Sequence, residues 1–128
     1  MKIVSVIARV LLGLLFLVFG LNGFLNFIPM GPMPLGLAGQ FTAALFESHY
    51  MTVVFTLELA GGVLLLLNRY VPLALMLLAP VIVNIVLFHV FMAPSGLPLA
   101  MVVTVLWMLT AHKFRSVFVS LLNQRVTV

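Results

Sequence analysis

The chain has 128 residues, 65% of them hydrophobic and 6% charged, with a mean hydropathy of +1.37, which leaves too little polar surface to cover a water-soluble domain. The formal charge of +4 does not indicate nucleic acid, because its basic residues are dispersed rather than gathered on one water-facing surface. With no cysteine, dithiol chemistry, thiolate-ligated clusters and disulfides are excluded.

An apolar run from Ile3 to Ile28 predicts a first membrane span. Arg9 interrupts any signal-like core and no small-residue cleavage pattern follows, so the span reads as retained. Pro29, Pro32 and Pro34, with Gly31 and Gly36, end that helix and open a loop over 29–49. Within it Leu37, Phe41 and Leu45 recur at helical spacing beside Gln40, Thr42 and Glu47, predicting an interfacial or lid helix. Further spans are predicted over 50–67, 71–91 and 97–111. The Asn68-Arg69-Tyr70 connection is so short that the second and third spans must be antiparallel neighbours. In the tail, 112–128, Phe114, Val117, Phe118, Leu121 and Leu122 form an apolar stripe, read as a surface helix or a continuation of the fourth span. The expected fold is an all-α integral membrane protein, one transmembrane domain over 1–128, built as a four-helix antiparallel bundle.

Lys2, Arg69, Lys113, Arg115 and Arg125 fall on one side of such a bundle, and the opposite loops carry no lysine or arginine. The positive-inside rule then places both termini in the cytoplasm and the 29–49 loop outside a cytoplasmic membrane.

Function is sought where polarity persists inside the spans, since a charge at bilayer depth costs about 2.5–3.5 kcal/mol. Arg9 and Glu58 stand out. Glu58 lies roughly 16 Å from the cationic boundary by helical rise, within reach of an extended Arg9, so a desolvated ion pair between the two is expected. Arg9, Gly13, Phe16, Gly20, Gly23 and Phe27 share one helical stripe, and Gly61 and Gly62 are expected to clear space beside the carboxylate. Two readings follow: the pair is structural glue, or Glu58 is shared with a ligand or proton route.

A second polar group comprises Asn22, Asn26, Gln40, His49, Asn84 and His89, with Pro80 freeing the carbonyl of Met76. Asn84 and His89 are candidates to line a cavity, and Asn22 and Asn26 to bind at its outer end. His49, His89 and Glu47 have the elements of a metal site but no recognised ligand spacing, so no metal is assigned. Haem held by His49 and His89 is the weaker cofactor reading beside a quinone. The serines lack an elbow motif, and no catalytic residue is assigned.

Arg9-x3-Gly13-x2-Phe16-x3-Gly20, followed by Glu58-x2-Gly61-Gly62-x-Leu64-Leu65, resembles the DoxX family over nearly the whole chain. In that resemblance Arg9 and Glu58 correspond to the family's intramembrane arginine and glutamate. Where the family often has a lysine, this chain has Asn22-Gly23-Phe24. The family includes small subunits or relatives of a thiosulfate:quinone oxidoreductase. The resemblance therefore implies a redox-associated membrane subunit that binds a quinone-like or other apolar ligand and joins a membrane oxidoreductase partner. A scaffold recruiting a larger complex and a small proton-coupled transporter are the alternatives, with homo-oligomerisation open in each.

Overall fold

The computed structural model describes residues 2–29 and 31–126, and within them the regular structure is all helix, with no strand. The elements are α1 (Lys2–Leu25), α2 (Gly36–Glu47), α3 (Tyr50–Leu67), α4 (Val71–Phe91), α5 (Leu97–His112) and α6 (Arg115–Ser120), with a 3-10 turn at Pro94–Gly96 leading into α5. Four segments are long and apolar enough to cross a membrane: α1, α3, α4 and Pro94–His112. Lipid offers the backbone no hydrogen bonds, so each crossing segment must satisfy its amides internally, which a helix does. The large apolar side chains exposed along all four, among them Ile7, Val53, Val83 and Val105, are those a bilayer would cover.

The four spans close into a ring in which α1 packs on α3 and α5, and α4 packs on α3 and α5. The tightest approach joins α1 to α3. A Cβ built on Gly62 would fall 2.7 Å from the backbone nitrogen of Leu17 and 2.9 Å from the carbonyl of Gly13, so the two backbones touch there. Gly61, one position back, faces α4 instead, and its place is taken by the side chain of Leu78. Consecutive glycines thus let α3 approach a neighbour on each side. The expectation that they clear space beside Glu58 is corrected: that space is filled by α1 backbone and by Leu78. Leu12, Phe16, Leu65, Leu75, Leu78 and Val103 make up the centre of the core.

The connections follow from their residues. α1 ends at Leu25, short of the expected Ile28, because Asn26 takes a left-handed φ of 52°. Asn22 holds this turn, its side-chain oxygen accepting from the Ile28 amide at 2.7 Å and its nitrogen donating to the Ile28 carbonyl at 3.3 Å. α3 closes with a Schellman pattern: Asn68 is left-handed (φ 55°), its amide donates to Leu65 at 3.2 Å, and the Arg69 amide donates to Leu64 at 3.0 Å. Pro72 then opens α4 in its first turn, where a missing amide costs nothing.

α2 lies across the end of the bundle opposite the cations, with Phe41 stacked on Phe88 of α4 (5.8 Å) and Phe46 beside Phe55 of α3 (6.0 Å). Its buried residues are the small ones, Ala38 and Gly39, with Gly39 covered by the Pro34 carbonyl of the preceding loop, whereas Leu37 of the expected apolar stripe is 71% exposed. A glycine there lets the loop fold back against its own helix, and large apolar residues can be left to lipid. At the other end the chain breaks at Lys113–Phe114, so the tail is a separate short helix rather than a continuation of α5. Phe118 of α6 tilts onto Trp107 at 6.2 Å, while Val117, Leu121 and Leu122 stay exposed. Thr127 and Val128 of the expected tail lie outside the described residues.

The α1–α3 contact gives a direct expectation. Gly62→Ala should destabilise the bundle by about 1–3 kcal/mol, because backbone rather than a flexible side chain stands in the way. Val63→Ala, on the 40% exposed neighbour, should change stability by less than about 0.5 kcal/mol. Unfolding of detergent-solubilised protein by titration with a denaturing surfactant measures both, and equal effects would contradict the described contact.

Candidate functional site

The α1–α3 register decides where Arg9 can reach. Gly13 sits at Gly62, and Gly20 sits at Leu59 and Phe55, so the two helices run antiparallel and Arg9, one turn before Gly13, comes level with the last turn of α3. Its Nη1 donates to the carbonyl of Leu65. That carbonyl belongs to the helix terminus, where the macrodipole is negative and carbonyls lack intrahelical partners. The expected Arg9–Glu58 ion pair is corrected accordingly: among the described residues neither side chain has an ionic partner. Seven residues of helix, about 10 Å of rise, separate Glu58 from Leu65. The flexible cation takes the nearer acceptor and keeps its head towards the membrane boundary.

Glu58 is left inside the bundle. It is 7% exposed and shares a stripe with the other buried positions of α3, Gly61, Gly62 and Leu65. Its Oε2 is enclosed and has no hydrogen-bond partner. Register places it level with Phe16 and Gly20 of α1 and, through the Gly61–Leu78 contact, with Val81 and Ile82 of α4. One turn away towards the α2 end is Phe55, which meets Phe24 at 6.0 Å and Phe46 at 6.0 Å. The carboxyl therefore lies beneath an aromatic cluster that α2 helps to close.

Several other polar side chains in the helices are satisfied by backbone. Thr42, Thr56, Thr104 and Thr110 each donate to the carbonyl four residues earlier at 2.7–2.8 Å. Trp107 donates from its indole to the Leu75 carbonyl at 2.9 Å, tying α5 to α4. Sequence reasoning missed this bond. The signal was present, since a lone tryptophan within a span needs an acceptor for its N–H.

The remaining expected site residues are not gathered around Glu58. Asn84 is exposed on α4 and donates to the Pro80 carbonyl four residues earlier at 2.8 Å, so its amide is satisfied within its own helix, and the Met76 carbonyl freed by Pro80 is not its partner. Asn22 is 4% exposed and, like the exposed Asn26, serves the end of α1. His89 sets Nδ1 3.0 Å from the Ala93 carbonyl and meets Phe88 edge-on at 5.1 Å. His49, exposed and left-handed at φ 63°, precedes α3. Gln40 and Glu47 are exposed on α2. Among the described residues no group of three or more metal-ligating side chains occurs.

If Arg9 and Glu58 act independently, their substitutions should be additive. In a double-mutant cycle of Arg9→Gln and Glu58→Gln, scored by unfolding free energy, the coupling should stay under about 0.5 kcal/mol. A coupling above about 1.5 kcal/mol would require the ion pair that the register denies. No family model, curated protein or solved structure matches this chain.

Proposed function

We propose that the chain is a ligand-binding subunit of the cytoplasmic membrane, which holds a quinone-like or other apolar molecule between its helices with the polar head of that molecule at Glu58. One observation carries the reading: a carboxyl oxygen is enclosed at mid-span without a hydrogen-bond partner. An orphaned polar atom costs free energy that a purely structural position has no reason to bear, and packing alone would be served better by an apolar or self-satisfied side chain. Intramembrane carboxyls of this kind mark ligand or ion sites. A ligand hydroxyl of the quinol type would donate to Oε2, and an apolar ring would suit Phe16, Val81 and Ile82 at the same level.

Access in this reading runs beneath α2. Its aromatic contacts to the bundle are two, Phe41 on Phe88 and Phe46 beside Phe55, few enough for it to lift without unfolding the ring of spans. The side chain of Leu78, lodged against Gly61, is the group that would rotate to make room. The cationic end faces the cytoplasm, by the same loop asymmetry that orients other membrane proteins. The resemblance to the DoxX family supports the redox-associated role, with electron transfer belonging to a partner oxidoreductase.

Native mass spectrometry of protein extracted in mild detergent tests this. The wild type should carry a discrete small molecule whose occupancy falls at least about tenfold in Glu58→Gln, roughly the loss of one well-made bond to a charged group. The variant should unfold no earlier than the wild type, because the carboxyl it replaces has no hydrogen bond on Oε2 to lose and the side-chain volume is unchanged. Ordinary lipid alone on both proteins would overturn the reading.

A further inference from the structure

A feature outside the Glu58 site lies on the outward face of α5. Two shallow furrows run along it, one of about 370 Å³ lined by Val105, Met108, Leu109 and His112, the other of about 280 Å³ reached through Val102 and Met101. They share Val105, so they form one track down the helix. From Met101 to His112 the helix rises about 16 Å. That is close to the depth of one leaflet, half of a hydrocarbon core of about 30 Å.

The two ends of the track differ. Near Met101 it is wholly apolar. At its other end stand His112 and, immediately after it, Lys113 and Arg115, and the Arg115 guanidinium donates to the His112 carbonyl at 3.5 Å. That contact is long and engages one nitrogen, so other guanidinium donors remain at the mouth of the track. All the chain's lysines and arginines sit towards this end of the bundle, with both acidic residues elsewhere: Glu47 ends α2 at the far end and Glu58 lies mid-span. Among the described residues no acidic side chain stands at the mouth.

We propose that this face of α5 binds an anionic phospholipid of the leaflet at the cationic end, one acyl chain lying in the furrow and the phosphate held by Arg115 and Lys113. The length fits an acyl chain, the lining is apolar, and the cations are set where a headgroup meets the interface. Basic residues at the membrane-boundary end of a transmembrane groove select anionic headgroups over zwitterionic ones. The occupant is a lipid rather than free phosphate, because most of the lining offers no polar partner.

The protein's single tryptophan provides the readout: Trp107 is on α5, half-buried with its indole turned to Leu75 of α4, so it reports lipid held beside α5 through the width of that helix. Full-length protein is reconstituted in phosphatidylcholine vesicles carrying equal mole fractions of either dibrominated phosphatidylglycerol or dibrominated phosphatidylcholine, and quenching of Trp107 is compared. The anionic quencher should be preferred on the order of fivefold or more. Arg115→Gln should lower the preference by about fivefold, whereas Arg69→Gln, which removes the same charge from the α3–α4 turn at the same end, should leave it within about twofold. Val105→Phe, at a position 48% exposed, should fill the furrow and weaken quenching with the helix content unchanged. Equal quenching by the two lipids overturns the proposal. So does an equal fall in the two arginine variants, which would mean diffuse charge rather than a site, and so does a Val105→Phe effect on subunit association with lipid preference intact, which would mean that the face meets a second copy of the chain.

Discussion

The contact of α1 with α3 at Gly13 and Gly62 is the constraint on which the other placements depend. Backbone meets backbone there, with a Cβ on Gly62 falling 2.7 Å from Leu17 and 2.9 Å from Gly13, so neither helix can slide or rotate without separating. In lipid, where apolar side chains gain little by leaving one apolar surface for another, such close packing is a main source of helix association. Once it is made, every residue of α1 has a fixed level on α3. Arg9 falls beside the last turn of α3, and Glu58 falls beside the middle of α1.

That register sorts the polar groups into two kinds. Arg9 meets a helix end whose carbonyls need donors, and Leu65 accepts from both Arg9 and Asn68. The arginine therefore caps α3 from a neighbouring helix, favoured by the macrodipole and by the short distance to the membrane boundary. Trp107 makes a comparable tie between α5 and α4 through the Leu75 carbonyl. Thr42, Thr56, Thr104, Thr110 and Asn84 are satisfied within their own helices. Glu58 differs from all of these because it offers only acceptors when ionised, and every backbone amide at its level is already committed to its helix. Its exclusion from the backbone network, rather than its charge alone, singles it out.

The two ends and faces of the bundle are unlike for equally plain reasons. Proline and glycine between 29 and 36 send the chain back over the bundle as α2, and the aromatic residues of α2, α3 and α4 gather beneath it. At the opposite end the connections are short and basic, and α6 folds back through Phe118 rather than extending α5. α5 is the most outward-facing of the spans, with only 17% of its apolar window buried, which leaves its far side to lipid.

The order of residues along the chain was enough for the number of spans, the antiparallel pairing forced by Asn68-Arg69-Tyr70, the interruption by α2 and the presence of a carboxyl, Glu58, within a span. These are local properties: apolar length, chain-breaking residues and connection length act within a few turns of one helix. Which partner Arg9 would take, which side chains would fill the room beside Gly61 and Gly62, and which face of α2 would be buried had to wait for the packing of the helices. Helical periodicity states which residues share a face of one helix, but the level of one helix against another is set by where backbones can approach most closely. A shift of two turns moves Arg9 from a carboxylate to a carbonyl, and nothing in the spacing of the residues along either helix distinguishes the two.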